Sequence, residues 1–572
     1  MKLLPRISIK SFRRSLASFD SVPQFALLGI ASGFVTGLVI IAFRLTIEWP
    51  LGLILEDGPE SFESLHPILA FGLPIAGALV LIPIFSFLAP ADSRIGVAHV
   101  LERLGRHQGH MPLSNALVQF VTGVIALASG QSGGREGPAI HLGAAGSSLI
   151  GHYMKLPNNS IRVLVGCGAA AAISASFNTP IAGVIFSMVV FIMEYTIAGF
   201  IPVILASVVA AVMTQLVFGS DTAFDVPSVS MASLLDVPIL VVEGAFIGVI
   251  AALFVKLFLT TTRYAPEKIW MRFLIAGALT GTTAMLAPEI LGIGYDTVNM
   301  ALVGELGITL LLLVFVLKII VSSTILALGM PVGIIGPTLF IGAMAGGIFA
   351  LAAGNLGTNL SHDALYVTLG MGAMMGAVLQ APLAALMAVL ELTNNPNIIL
   401  PAMLVIIIAN MTASQLYGVR SVFMMQMEAM GLEFRQNPIS MALNRASVAS
   451  IMIRNFRRVN RHLCNEDART LILQKPVWIL VDGDNGPSFI LRAEDLENYL
   501  TDAEDDVIDL AAIPATRKDV TSILLQATLS EALETLNSSG VQALYVNRIS
   551  APMIDSPVGI VTRGDIETYY QS

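Results

Sequence analysis

Charge and cysteine are scarce in this 572-residue chain. Only 12% of its residues are charged while 55% are hydrophobic, too little polar surface to cover the apolar remainder of a soluble globular protein. The mean hydropathy of +0.77 says the same. Two cysteines, Cys167 in an apolar run and Cys464 in a polar one, give no disulfide framework. A formal net charge of -9 offers no broad basic surface and excludes nucleic acid as the expected partner. No HExxH run points to an intramembrane zinc enzyme, and an enzyme is not expected. No small-residue cleavage site follows the basic opening MKLLPRISIKSFRRSLASFD, so residues 1–20 read as a cytoplasmic segment ahead of the first span rather than a signal peptide.

What is abundant is hydrocarbon. Val303–Leu328, Ile201–Leu216 and Val237–Phe258 are apolar runs of the kind that cross about 30 Å of bilayer as helices. The 49 glycines and 28 prolines are well represented among such runs, which suggests close helix packing and interrupted helices. Composition changes near Gly431. The expected organisation is a cytoplasmic segment over 1–20, a transmembrane domain over 21–430, a linker over 431–461 and a soluble pair of small domains over 462–572. The linker ends in Arg454, Arg457, Arg458 and Arg461, a basic cluster that suits a cytoplasmic membrane face.

The membrane part repeats itself. Gly134–Ala144 reads GREGPAIHLGA and Gly333–Ala343 reads GIIGPTLFIGA, so G-x-x-G-P-x-x-x-x-G-A recurs 199 positions later. A second pair follows in the same order, GCGAAAAISASFNTPIAG at Gly166–Gly183 and GMGAMMGAVLQAPLAA at Gly370–Ala385. Two ordered matches indicate a duplication, and duplicated membrane halves place substrate near the midplane where interrupted helices meet. Glycines followed by proline at a helix start leave amide N–H groups unobstructed, and helix starts attract anions. Amide dipoles bind an ion weakly enough to let it leave, as a fixed cation does not. The alternative is that these glycines only permit close helix crossing. The tail is paired too: VWILVD with SFILRAEDLENY, then QALYVN with PVGIVTRGDIETY, each a small α/β unit expected to pack on its copy.

These segments resemble the CLC family of chloride channels and chloride/proton antiporters. The resemblance rests on GREGP at Gly134–Pro138, FNTPIAGVIFS at Phe177–Ser187, GIIGP at Gly333–Pro337 and APLAALMAVLELT at Ala381–Thr393. The tail resembles tandem cystathionine-beta-synthase (CBS) domains, with GIVTRGD at Gly559–Asp565 its clearest piece. The fold class this implies is an all-α polytopic membrane domain of two inverted repeats, followed by an α/β CBS pair. It further implies a homodimer with one chloride path per subunit, in a bacterial inner (plasma) membrane with the N-terminus and the CBS pair cytoplasmic. No cofactor is required, and an adenine nucleotide such as ATP is the candidate ligand of the CBS pair.

The resemblance also assigns residues. Ser93, in DSRIG where the family has GSGIP, corresponds to the anion-facing serine. The amides of Ile334 and Ile335 correspond to those coordinating the central anion. Phe423 replaces the anion-facing tyrosine and lacks its O–H donor. Gly134, Arg135, Gly137, Pro138, Gly333, Gly336 and Pro337 form the filter motifs, and Glu136 stands at the gating glutamate. A carboxylate in a membrane must be paired, wet or protonated. The anionic form of Glu136 can therefore hold an anion position that its neutral form yields to chloride. A pair with adjacent Arg135 is the structural alternative.

The family's inner proton glutamate is replaced by Val190, which carries no proton. This favours channel-like or uncoupled transport, with an antiporter using another proton route and an anion-responsive sensor of little flux as alternatives. Glu194, four residues on, shares the face of Val190 and is the candidate replacement relay. His141, five residues beyond Glu136, reads as a packing histidine. Thr562 and Asp565 match a nucleotide-contacting T-x-x-D of CBS pairs, and equally match an acidic helix cap.

Overall fold

The structure is a computed structural model that describes Leu16 and residues 22–55, 58, 60–193, 197–220, 224, 226, 236–354, 363–432, 442–483, 486–502, 506–549 and 555–571. Contacts divide the chain into two units, one of Phe25–His152 with Arg162–Phe434, the other of Met1–Gln24, Tyr153–Ile161 and Arg435–Ser572.

The larger unit is helical. Its elements are α1 (Val22–Leu51), α2 (Pro67–Phe87), α3 (Gly96–Arg106), α4 (Leu113–Ala128), α5 (Glu136–Tyr153), α6 (Asn158–Phe177), α7 (Pro180–Ser187), α8 (Ile197–Phe218), α9 (Val237–Tyr264), α10 (Ile269–Ala284), α11 (Tyr295–Leu302), α12 (Ile308–Ala327), α13 (Ile335–Gly354), α14 (Asp363–Leu379), α15 (Pro382–Thr393), α16 (Ile399–Met411) and α17 (Val422–Ala429). Among the described residues, eight helices are long and apolar enough to cross a membrane. Leu27 and Phe34 on α1, Phe87 on α2, and Leu312 and Val316 on α12 are exposed, as lipid-facing positions require.

The repeat read from sequence recurs in the geometry. A Cβ on Gly143 of α5 would lie 2.4 Å from the carbonyl oxygen of Gly168 on α6, and one on Gly342 of α13 would lie 2.3 Å from that of Gly370 on α14. Both helix pairs therefore touch backbone to backbone at matching glycines, contacts that any side chain would separate. Asn178 and Gln380, just before α7 and α15, both have positive φ, as do Met193 and Asn394 beyond those helices. Proline occupies the first turn of both α7 and α15, where its missing N–H costs nothing.

In the smaller unit α18 (Val448–Ile451) precedes β1 (Phe456–Asn460), β2 (His462–Cys464), α19 (Asn465–Leu473), β3 (Trp478–Gly483), β4 (Gly486–Arg492), α20 (Ala493–Asp502), β5 (Val507–Asp509), β6 (Lys518–Leu524), α21 (Leu529–Ser539), β7 (Ala543–Ile549), β8 (Asp555–Thr562) and α22 (Arg563–Gln571). The main sheet runs β1-β3-β4-β6-β7-β8. Its halves match: β1 and β3 are parallel and β3 and β4 antiparallel, while β6 and β7 are parallel and β7 and β8 antiparallel. Each half has its own apolar core, and Trp478, Leu480 and Ile490 of one pack with Ala543, Tyr545 and Ile560 of the other. Both α18 and β1 fall within the stretch read as a linker. Two of its arginines are ion-paired, Arg458 with Asp482 at 2.9 Å and Arg461 with Asp509 at 2.8 Å. The segment 153–161 belongs to this unit through Asn158, whose backbone N–H donates to the Gln526 carbonyl at 2.9 Å and whose Nδ2 donates to the Glu531 carboxylate.

Candidate functional site

The two glycine-rich motifs meet. Gly134 N–H donates to the Gly333 carbonyl at 2.8 Å and Gly333 N–H returns a bond to the Gly134 carbonyl at 2.5 Å, an antiparallel bridge just ahead of α5 and α13. Only glycine fits, since a Cβ on Gly333 would lie 2.5 Å from the Gly137 nitrogen and one on Gly137 would lie 2.8 Å from the Gly333 Cα. The bridge sets two helix starts side by side, with their first N–H groups free of intrahelical partners.

Glu136, the first residue of α5, is fully buried. Its Oε2 accepts from the Gly336 N–H at 3.2 Å, at the start of α13, and its Oε1 accepts from the Tyr295 hydroxyl at 3.2 Å. The carboxylate of one repeat thus lies on a helix-start amide of the other, where a small anion would also be stabilised. Tyr295 opens α11 behind Gly294, whose φ of +81° suits glycine. The preceding loop is fastened by Lys318 of α12, buried, whose Nζ donates to the carbonyls of Ile290 at 2.9 Å and Gly292 at 3.0 Å.

Arg135 turns away from its neighbour. Its guanidinium pairs with Glu48 at 2.9 Å and Glu60 at 3.5 Å, donates to the Ser176 carbonyl at 3.2 Å, and stands 5.8 Å from the centre of the Tyr295 ring. Glu48 also pairs with Arg44 at 3.0 Å. These four charged side chains line one cavity together with Phe62 and Ile293. The expected alternative of a Glu136–Arg135 pair is therefore not the arrangement found.

The other sequence candidates fall as follows. Ser93 is half-buried and its hydroxyl donates to the Pro90 carbonyl at 3.0 Å, within its own turn. That turn is held by Asn115 of α4, whose Nδ2 donates to the carbonyls of Ala91, Asp92 and Arg94, and by Gln119, which accepts from Gly96 N–H at 2.8 Å. Phe423 is buried in the first turn of α17, which packs on α3 and α9. Ile334 and Ile335 are buried at the start of α13, and Ile335 lines a small apolar cavity with Phe177, Phe186 and Met375. Pro138 and Pro337 lie in the first turns of α5 and α13.

Val190 is buried in the π-helical turn Met188–Ile192 that continues α7. Glu194 lies outside the described residues. Thr562 and Asp565 close a reciprocal cap at α22: Thr562 N–H donates to Asp565 Oδ2 at 2.7 Å and Asp565 N–H donates to Thr562 Oγ1 at 3.4 Å. Thr528 and Glu531 do the same at α21. Among the described residues no group of three or more His, Cys, Asp or Glu is placed to hold a metal. Ser132, whose G-Q-S-G-G context has the spelling of a hydrolase elbow, shares a 3.1 Å hydrogen bond with Ser322 rather than with a histidine.

Sequence reasoning missed Tyr295, Lys318 and Glu391. Glu391 on α15 accepts from the N–H groups of Ile181 at 2.9 Å and Ala182 at 2.7 Å, capping α7. A charged residue inside an apolar run was the available signal for Lys318 and Glu391. Tyr295 carries no such signal, because only the fold brings it to Glu136.

Residues 70–414, more than half of the chain, match the family model described as voltage gated chloride channel. The chain belongs to that family. Voltage gated chloride channel proteins transport rather than catalyse, and this member is an integral membrane transport protein, not an enzyme. It is 28% identical over 424 residues to the H(+)/Cl(-) exchange transporter ClcA of Salmonella arizonae, covering 71% of this chain and 89% of that one. Its fold is similar to a slow cyanobacterial Cl-/H+ antiporter, at 20% identity with a TM-score of 0.59 over 73% of this chain and 98% of that one. A eukaryotic CLC transporter, at 15% identity and a TM-score of 0.56, matches 97% of this chain and 98% of its own, and so extends the fold likeness through the α/β tail.

Proposed function

We propose that this protein carries chloride, or a similar small anion, across the bilayer along a path that Glu136 closes when ionised and opens when protonated. The observation that carries the reading is the pair of bonds that Gly336 N–H and the Tyr295 hydroxyl make to the Glu136 carboxylate. An ionised acceptor is held more tightly than a neutral one. Protonation weakens both bonds, and the site yields to an anion from solution. Ser93, Ile334, Ile335 and Phe423 extend the path toward the inner face. Gradient and voltage drive the ion, at about 2.3 kcal/mol per charge for 100 mV.

Val190 favours channel-like conduction, because a buried valine holds no proton where the family's inner carboxylate stands. A chloride/proton exchanger that avoids position 190 is the second reading, and the observation that favours it is taken up below. In the same reading the two halves are inverted repeats, the protein is a homodimer, and the tail is a cytoplasmic CBS pair at a bacterial inner membrane, with the four segments given above save that β1 of the linker stretch joins the tail's sheet. Adenine nucleotide at Thr562 and Asp565 would compete with the helix cap these residues close.

Chloride and proton fluxes recorded together from reconstituted protein test the proposal. Chloride flux that rises as pH falls is expected. Sealed vesicles with active protein and no anion permeability at any pH or voltage would instead indicate a sensor.

A further inference from the structure

His99 of α3 and His141 of α5 are hydrogen-bonded through His99 Nδ1 and His141 Nε2 at 2.9 Å. Their ring centres are 5.1 Å apart. His141 is fully buried and His99 retains 5% exposure. His141 Nδ1 is buried with no hydrogen-bond partner among the described residues. A buried polar nitrogen left unmatched is costly, and packing alone would be served by an apolar side chain. The rings are joined head to tail: one nitrogen of His141 is open, its other nitrogen meets the near nitrogen of His99, and the far nitrogen of His99 is on the more exposed ring.

The geometry points to His141 and His99 as a two-ring proton relay on the gate helix, which passes protons between the Glu136 region and the end of the anion path where α3 begins. This inference rests on Glu136 being the protonatable gate and on the second reading above, that of a chloride/proton exchanger. In the resting tautomers Nε2–H of His141 donates to Nδ1 of His99, and Nε2 of His99 carries a proton. A proton accepted at His141 Nδ1 makes that ring an imidazolium, its Nε2 proton crosses to His99 Nδ1, and the Nε2 proton of His99 leaves to water. One proton enters and one departs, and the starting tautomers return when each ring, turned out of the pair, gives its Nδ1 proton to water and takes one from water at Nε2. Histidine suits this role because each neutral ring both accepts and donates.

Glu136 and His141 are five residues apart on α5, a rise of about 7.5 Å, so transfer between them requires water to enter the space between. His141 is bonded to His99, the charges of Arg103, Arg94 and His107 also act on His99, and His99 acts on His141. Arg94 is itself paired with Glu102. Burial first, and then these cationic neighbours, discourage storage of a proton on His99 and favour its release. The relay supplies an inner route that does not pass Val190.

The full-length protein is reconstituted in liposomes under an imposed chloride gradient, with proton movement followed by a pH-sensitive dye and chloride by an electrode. Wild type is expected to move protons against their gradient. His141→Leu and His99→Leu are expected to lower proton movement by about tenfold or more while chloride flux persists and still rises as pH falls. His141→Gln and His99→Gln, polar and closer to histidine in size, repeat the measurement if a leucine variant does not fold. Proton movement unchanged in the folded variants overturns the relay, as does a wild type that carries chloride in a pH-dependent manner without protons. Failure of the gate reading is recognised separately, by Glu136→Gln keeping the wild-type pH dependence of chloride flux.

Discussion

Tyr295 donates its hydroxyl to Glu136 Oε1 at 3.2 Å across 159 residues of sequence. It joins the first residue of α11 to the first residue of α5. Together with the Gly336 amide this gives the Glu136 carboxylate one donor from a side chain and one from a helix start. A hydrogen bond to a charged group contributes ~1.5–3 kcal/mol, enough to set the pH at which the carboxylate lets go.

Tyr295→Phe keeps the ring and removes the donor. The ionised, closed form of Glu136 then loses one of its two stabilising contacts, and the gate opens at higher pH. The pH of half-maximal chloride flux should rise by about 1–2 units, given about 1.36 kcal/mol per unit. Flux measured in liposomes across pH 5 to 9 checks this, and an unchanged midpoint counts against the contact.

Glu60, in the loop between α1 and α2, is a second titrating group, at the cavity it lines with Arg44, Glu48 and Arg135. Burial pushes its carboxyl up to about 7, Asp296 and Glu48 adding to the effect and Arg135 and Arg44 opposing it. A carboxyl raised above its unfolded value contributes stability that is fully present below about 4.3 and is lost as pH rises through about 7. Thermal midpoints in detergent between those limits should fall with pH for wild type more steeply than for Glu60→Gln, whose amide does not titrate. Equal slopes would remove Glu60 from the account.

Glu391 holds the start of α7 from α15. Glu391→Ala leaves the N–H groups of Ile181 and Ala182 without their acceptor and should cost about 1–2 kcal/mol. Glu391→Gln, which keeps one acceptor oxygen, should cost less. Unfolding midpoints of the two variants in detergent give the order.

Gly333→Ala attacks the bridge between the repeats. Its Cβ would lie 2.5 Å from the Gly137 nitrogen, a collision between backbone segments with no flexible side chain to give way. Chloride flux should be lost and the thermal midpoint lowered, whereas Gly72→Ala, at a position where a Cβ meets nothing within 4 Å, should leave both unchanged.

Much of this was legible from residues alone. The repeated G-x-x-G-P named the two helix starts, while their direct backbone bridge is visible only in the fold. The α/β character of the tail followed from its alternating strands and polar helices. What sequence could not supply were partners set by tertiary contact. Tyr295 lies in an ordinary loop-to-helix step, Arg135 is drawn from its neighbour by Glu48 and Glu60, and His141 meets His99 only because α3 packs beside α5. The T-x-x-D of the tail carried two readings in sequence, and in the fold its atoms close the helix cap. Ser93 keeps its hydroxyl on the turn that carries it, a local bond that no spacing rule foretells.

Equilibrium chloride binding to purified protein, measured by calorimetry at pH 5 and pH 8, asks whether an ion and a side chain contend for one place. Wild type should bind chloride more tightly at the lower pH, and Glu136→Gln should bind it equally at both. Wild-type affinity that does not change with pH, with the variant behaving alike, would contradict the claim that the Glu136 carboxylate occupies the chloride position.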